Sequence, residues 1–210
     1  MDIPLPYRIL AVDPATTTSG WAMLEILQLS PLTIRIHKHG QMIGSQLLKE
    51  RKFKKKIFSA QYCTVDVLED EYVSLITEWN PHIVVSEGAF AHIHVSAALA
   101  LTLAIHALRR ASDRTIGKDI VIIPPTITKL AFTGKGNADK DAMRLAYDNA
   151  TLFIKSGVNE ELTEHEIDAI AHGYGYICRD ILGTVVQISA AEKRQAKREK
   201  EKRKRERERA

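Results

Sequence analysis

The amino-acid sequence predicts an α/β protein built on a mixed five-stranded sheet, in the order βββαβαβα, flanked by helices. Three observations carry that expectation. Short apolar runs bounded by turn residues occur at Ile9-Leu10-Ala11-Val12, His82–Ser86 and Asp119–Ile123, and such runs read as buried strands. Segments of helical spacing separate them, and strands alternating with helices build a parallel sheet. Two more strands follow the first with only short connections, which makes an antiparallel meander.

Taken in order, the first strand is Tyr7–Asp13, which meets a carboxylate at Asp13 and breaks into the hydroxyl-rich turn Pro14–Ser19. Gly20–Leu27 is the second. Leu32–His39 alternates Leu32, Ile34 and Ile36 with Thr33, Arg35 and His37, the pattern of a half-exposed strand. Gly40–Ala60 is a basic connection, helical in part. Thr64–Trp79 sets Val65, Leu68, Tyr72, Leu75, Ile76 and Trp79 at helical spacing, and Pro81 marks the break after it. His82–Ser86 then ends at Glu87-Gly88, repeating the grammar of the first strand: apolar run, carboxylate, small residues. Val95–Ala111 is apolar nearly all round and is expected to be a largely buried helix. Asp119–Ile123 is stopped by Pro124-Pro125; a short helix over Thr126–Phe132, a loop over Thr133–Asn137, and helices over Ala138–Phe153 and Thr163–Leu182 complete the chain's folded part. There is no internal repeat.

A chain of 210 residues supports one sizeable core, here residues 1–188, with a highly charged tail over 189–210. The net charge of +4 conceals an asymmetry: residues 192–210 hold eleven Lys/Arg and five Glu, so the rest of the chain is slightly acidic. Nucleic-acid contact by the body must therefore come from local patches, notably Lys49–Lys56 with Lys54, Lys55 and Lys56. The two cysteines, Cys63 and Cys178, form no disulfide framework or metal-ligand spacing. The Met1 end lacks the pattern of a secretory leader, and Val95–Leu108 is too short to span a bilayer. A soluble intracellular protein is expected.

The chemistry lies in three pieces. If the strands ending at Asp13 and Glu87 are parallel neighbours, both carboxylates reach one edge of the sheet. His165 and Asp168 are three apart on one helical face, while Ile167, Ile170 and Ala171 face the core and aim Asp168 at the other two acids. Converging carboxylates without thiolates make an oxygen-rich site suited to Mg²⁺ or Mn²⁺. Two such ions about 3.5–4 Å apart activate a water and stabilise the leaving oxygen of a phosphodiester. On its own stretch, Asp13 reads equally well as a turn cap and His165 as a surface histidine. Glu161, Glu164 and Glu166 read as an acidic solvated face, and His92, His94 and His172 as structural or incidental.

The order and spacing resemble the RuvC-type Holliday junction resolvases of the ribonuclease H-like fold. The matching text is ILAVDP…SGWAML, VVSEGAF, ITKLAFTGKGNADK and HEIDAIAHGYGY, together spanning Tyr7–Cys178. The resemblance implies that Asp13, Glu87, His165 and Asp168 form the metal-binding catalytic set, the fourth family position being Asp or His. It further implies that Phe90 pushes against bases near the junction, and that Lys129 and Lys140 lie near the scissile phosphate. The implied protein is a Mg²⁺-dependent endonuclease, Mn²⁺ substituting, with two ions per site. It would work as a homodimer that resolves four-way junctions by paired symmetric cuts, in the cytoplasm at the nucleoid and without a membrane. Departures from the family are Ala15, where the family has Gly, and the basic cluster and tail, which have no counterpart. Both basic segments suit sequence-blind backbone contact. They leave open a broader nuclease for flaps and other branched DNA. A junction-binding protein without catalysis is a separate reading, against which all four acidic-site positions carry competent ligands. An ATP-binding protein of the actin and sugar-kinase kind shares the fold but needs two copies of the domain, and this chain has no repeat.

Overall fold

A computed structural model describes residues 3–50, 60–88, 95–155 and 161–184. Within them six strands form one sheet: β1 (Tyr7–Asp13), β2 (Thr18–Leu29), β3 (Leu32–Ile43), β4 (Ile83–Glu87), β5 (Val121–Ile123) and β6 (Phe153–Ile154). Their spatial order is β5-β4-β1-β2-β3-β6. β1, β2 and β3 make the expected antiparallel meander, and β4 lies parallel to β1 with Ala11 opposite Val85 and Val12 opposite Ser86.

The helices are α1 (Gly44–Glu50), α2 (Ala60–Trp79), α3 (Val95–Ile116), α4 (Pro125–Thr133), α5 (Lys140–Asn149) and α6 (Glu164–Tyr176). α6 runs on into one π-helical turn, Ile177–Ile181. Strand alternation divides the core into two layers. Leu10, Val12, Trp21, Met23 and Val84 face α2 and α3, while Ile9, Ala11, Leu24, Val85 and Ile123 face α4, α5 and α6. Membership of the second layer at positions 9 and 11, and at 85, sends Asp13 and Glu87 to that same side, two residues further along each strand. Both carboxylates therefore meet α6.

Three expectations are corrected. The sheet has six strands, not five, because the segment assigned to a helix over Ala138–Phe153 ends as α5 at Asn149 and adds β6 beside Ile34 and Arg35 of β3. Phe153 is pinned there by Tyr147, Phe132 and Tyr174, whose ring centroids lie 6.4, 6.2 and 5.9 Å away. β3 runs on to Ile43, so the expected connection after His39 begins as strand and only then becomes α1. Finally, α3 is not buried throughout: its buried residues start at Ala104, whereas Val95 is 86% and Leu99 49% exposed. The basic cluster Lys54, Lys55 and Lys56, the aromatic Phe90, His92, His94 and residues 189–210 lie outside the described residues. Among the described residues no helix is long and apolar enough to cross a membrane.

Candidate metal centre at the end of the sheet

Asp13 is fixed from behind. Its backbone carbonyl accepts a hydrogen bond from the Ser19 hydroxyl at 3.1 Å, and Ser19 in turn takes one from the Tyr72 hydroxyl at 2.7 Å. Ser19 and Tyr72 are fully buried, and burial pushes the Tyr72 hydroxyl far above its ordinary range, so it stays a donor. Tyr72 of α2, on the face of the sheet opposite α6, thereby holds the end of β1 through Ser19.

α6 approaches from the other side. Its first turn is fastened by a capping box in which the Thr163 hydroxyl accepts from the Glu166 amide while the Glu166 carboxylate accepts from the Thr163 amide. Glu166 also meets His39 of β3, with Nδ1 2.5 Å from the carboxylate, both side chains being nearly buried. Glu166 is thus a structural anchor rather than part of a solvated acidic face, and the Thr163-x-x-Glu166 pattern is the sequence signal for it. Glu164 does stay at the surface, where it pairs with Lys140.

Close approach of α6 to the sheet depends on Gly20, the residue directly opposite Asp13 in the β1–β2 ladder. A Cβ there would overlap the His165 carbonyl and lie 2.8 Å from the His165 Cβ. With hydrogen in its place, the His165 ring reaches Asp13, Nδ1 to carboxylate oxygen 2.8 Å. That hydrogen bond is the main reason the imidazole's pKa is raised.

Glu87 and Asp168 complete the cluster, and both resist ionisation. Burial, then the charges of Asp13 and Asp168, push Glu87 from 4.5 up to about 8 against the pull of Lys129. Burial and Asp13 push Asp168 from 3.8 up to about 6, opposed by Lys129, His165 and Lys140. Burial and neighbouring like charge both disfavour the ionised form, and the nearby cations offset them only in part. The structure brings together all four expected acidic-site residues. Lys129 and Lys140 stand at its rim: the Lys129 ammonium donates to the Ala138 carbonyl at 2.7 Å, and Lys140 is exposed and paired with Glu164.

Sequence reasoning missed one residue. His172 is 3% exposed, with its Nδ1 3.0 Å from the Thr128 hydroxyl and its Nε2 3.9 Å from a Glu87 carboxylate oxygen. Ligand atoms of Asp13, Glu87 and His172 all lie within 4.8 Å of one another, a grouping able to hold a metal ion. Burial pulls the ring's pKa down from 6.5 to about 4, so it is neutral near pH 7. The available signal was its place in the stripe His165, Asp168, His172, spaced i, i+3, i+7.

The arrangement is that of a known architecture. No protein-family model and no curated protein matches the chain. Among solved structures it is similar to Thermus thermophilus RuvC, at TM-score 0.65 and 18% identity over 85% of this chain and 98% of that one. It is equally similar to T. thermophilus RuvC in complex with a Holliday junction substrate, at TM-score 0.66 and 18% identity over the same shares. The yeast mitochondrial Holliday junction resolvase Ydc2 aligns at TM-score 0.56 and 14% identity, over 84% of this chain and 80% of that one. These likenesses show the fold: the chain has the ribonuclease H-like α/β fold of the RuvC-type resolvases.

Proposed function

We propose that this chain is a metal-dependent endonuclease of the RuvC type that resolves Holliday junctions by paired symmetric phosphodiester hydrolysis near the crossover. The observation that carries the reading is the charge of the site. Asp13 and Glu87, brought to one edge by two parallel strands, meet Asp168 and His165 from α6, and burial together with the mutual repulsion of these carboxylates holds Glu87 and Asp168 above their ordinary pKa values, a crowding of negative charge that a cation would relieve. Oxygen-rich donors of this kind fit Mg²⁺, with Mn²⁺ as a substitute and two ions per site. Asp13, Glu87 and Asp168 would hold the ions and His165, kept in place by Asp13, would complete their shell. When bound, such ions neutralise charge at the scissile phosphate and ease deprotonation of the attacking water.

The chain's other residues arrange the substrate. Lys129 and Lys140, at the rim, would offset charge developing on the phosphate. Phe90, three residues beyond Glu87, would stack on a base near the junction, a contact worth roughly 1–3 kcal/mol. Lys54, Lys55, Lys56 and the tail over 189–210 would add salt-dependent backbone contact. We propose that the chain works in the cytoplasm at the nucleoid, on DNA of this kind.

Paired cuts on a two-fold symmetric junction call for two sites related by the same symmetry, hence a homodimer. The exposed apolar start of α3, with Val95 and Leu99, favours this helix over α2 as the dimer face. Leu99→Glu is expected to convert the dimer to a monomer by light scattering and to turn paired cuts into single nicks. A dimer persisting in that variant would place the interface elsewhere. The function itself is tested by metal-dependent cleavage of a synthetic four-way junction.

A further inference from the structure

We infer that His172 is a direct metal ligand, placed with Asp13 and Glu87, and that it makes the site favour a first-row transition ion such as Mn²⁺ over Mg²⁺. The inference rests on the metal-dependent reading above and adds to it the identity of one donor and the resulting selectivity.

Three features of His172 point the same way. Its Nε2 is buried and is one of two buried side-chain polar atoms without a hydrogen-bond partner among the described residues. Buried polar atoms are nearly always satisfied, so an orphan asks for a missing partner. The 3.9 Å to Glu87 is too long for a hydrogen bond. It suits two donors to one ion, because ligand atoms about 2.0–2.2 Å from a shared ion lie up to roughly 4.4 Å apart. The other ring nitrogen faces the Thr128 hydroxyl at 3.0 Å, and Thr128 is itself buried on α4. With Nδ1–H donating to Thr128, Nε2 keeps its lone pair turned toward Asp13 and Glu87, the arrangement by which outer contacts orient a ligating histidine.

The position also separates His172 from His165. His165 stands at the open end of the stripe with a side chain 42% exposed, whereas His172 lies two turns further along, at the closed floor, 4% exposed. A fixed nitrogen donor among carboxylates changes the preference of the site. Mg²⁺ favours oxygen ligands, and imidazole favours transition ions.

Electron paramagnetic resonance of Mn²⁺ bound to the DNA-free protein reads this without any cleavage assay. His165→Gln is expected to keep nitrogen coupling to the bound Mn²⁺, and adding His172→Gln to that variant is expected to abolish it. His172→Gln should lower Mn²⁺ affinity at least about tenfold while changing Mg²⁺ affinity, read by competition, less than about twofold. Thr128→Val spares the ligand but removes the group that orients it, and should weaken Mn²⁺ about tenfold, at the lower end of outer-contact effects. It serves as the readout if His172→Gln does not fold. Unchanged Mn²⁺ affinity in both the His172→Gln and Thr128→Val variants, or nitrogen coupling retained when His165→Gln and His172→Gln are combined, overturns the inference. If Asp13→Asn and Glu87→Gln abolish Mn²⁺ binding while the His172 and Thr128 variants keep it, the nuclease reading stands and His172 is structural. Mn²⁺ binding that ignores all four substitutions would overturn both.

Discussion

Glu87→Gln is expected to raise the melting temperature of the metal-free protein at pH 8 while lowering junction cleavage more than about a hundredfold. The cause is linkage. Glu87 titrates at about 8 in the fold against an ordinary value of 4.5, so between those pH values the folded protein holds a proton that the unfolded chain has released. Its contribution is fully present below about pH 4.5 and is lost as pH rises through about 8. Asp168 adds the same trend between 3.8 and about 6. Glutamine removes the strain of ionising a half-buried carboxylate beside Asp13 and Asp168. Even about 1 kcal/mol of relief raises the midpoint by roughly 2–4 °C in a chain of this size. The loss of activity should exceed the about 10–100-fold typical of outer contacts, because Glu87 would be a ligand itself. Added Mg²⁺ should stabilise the wild type and not the variant. Calorimetry at pH 5 and pH 8, with and without metal, checks the sign. A variant less stable than wild type at pH 8 without metal would contradict it.

Gly20→Ala is expected to damage stability and activity together. The new methyl group would meet the backbone of His165, which cannot swing aside as a side-chain tip can. α6 must therefore shift away from the sheet, and overpacking of this kind costs about 1–3 kcal/mol. His165 and Asp168 move with the helix, and misplacing reacting groups by about 1 Å costs about 10²-fold in rate. Metal affinity should fall in parallel, because Asp13 and α6 supply donors from opposite sides. Near-normal metal binding in a folded Gly20→Ala protein would show that α6 need not lie so close.

Much of this site was legible in the sequence because its placement is local. A carboxylate two residues beyond a core position on a strand must share that position's face, and both Asp13 and Glu87 satisfy this. His165 and Asp168 followed from helical spacing in the same way. What was not legible depends on tertiary contact. His172 sits among Ile170, Ala171 and Gly173 and reads as core until Thr128 and Glu87 are brought to it from far along the chain. Glu166 sits in a run of acids and reads as surface, but His39 of β3 draws it inside. β6 is two residues long, too short to show a period, and exists because Phe153 is held by an aromatic cluster. The apolar start of α3 was expected in the core because hydrophobicity predicts burial without saying by what.

The decisive experiment incubates a synthetic four-way junction, a flap and a linear duplex with the protein and Mg²⁺, beside Asp13→Asn. Symmetric nicks in two opposed strands of the junction are expected, with little cutting of flap or duplex and none by Asp13→Asn. Cutting of flap and junction at equal rates would contradict the junction assignment and leave a general branch nuclease. Binding of the junction without any cleavage, with either metal, would contradict the enzyme itself.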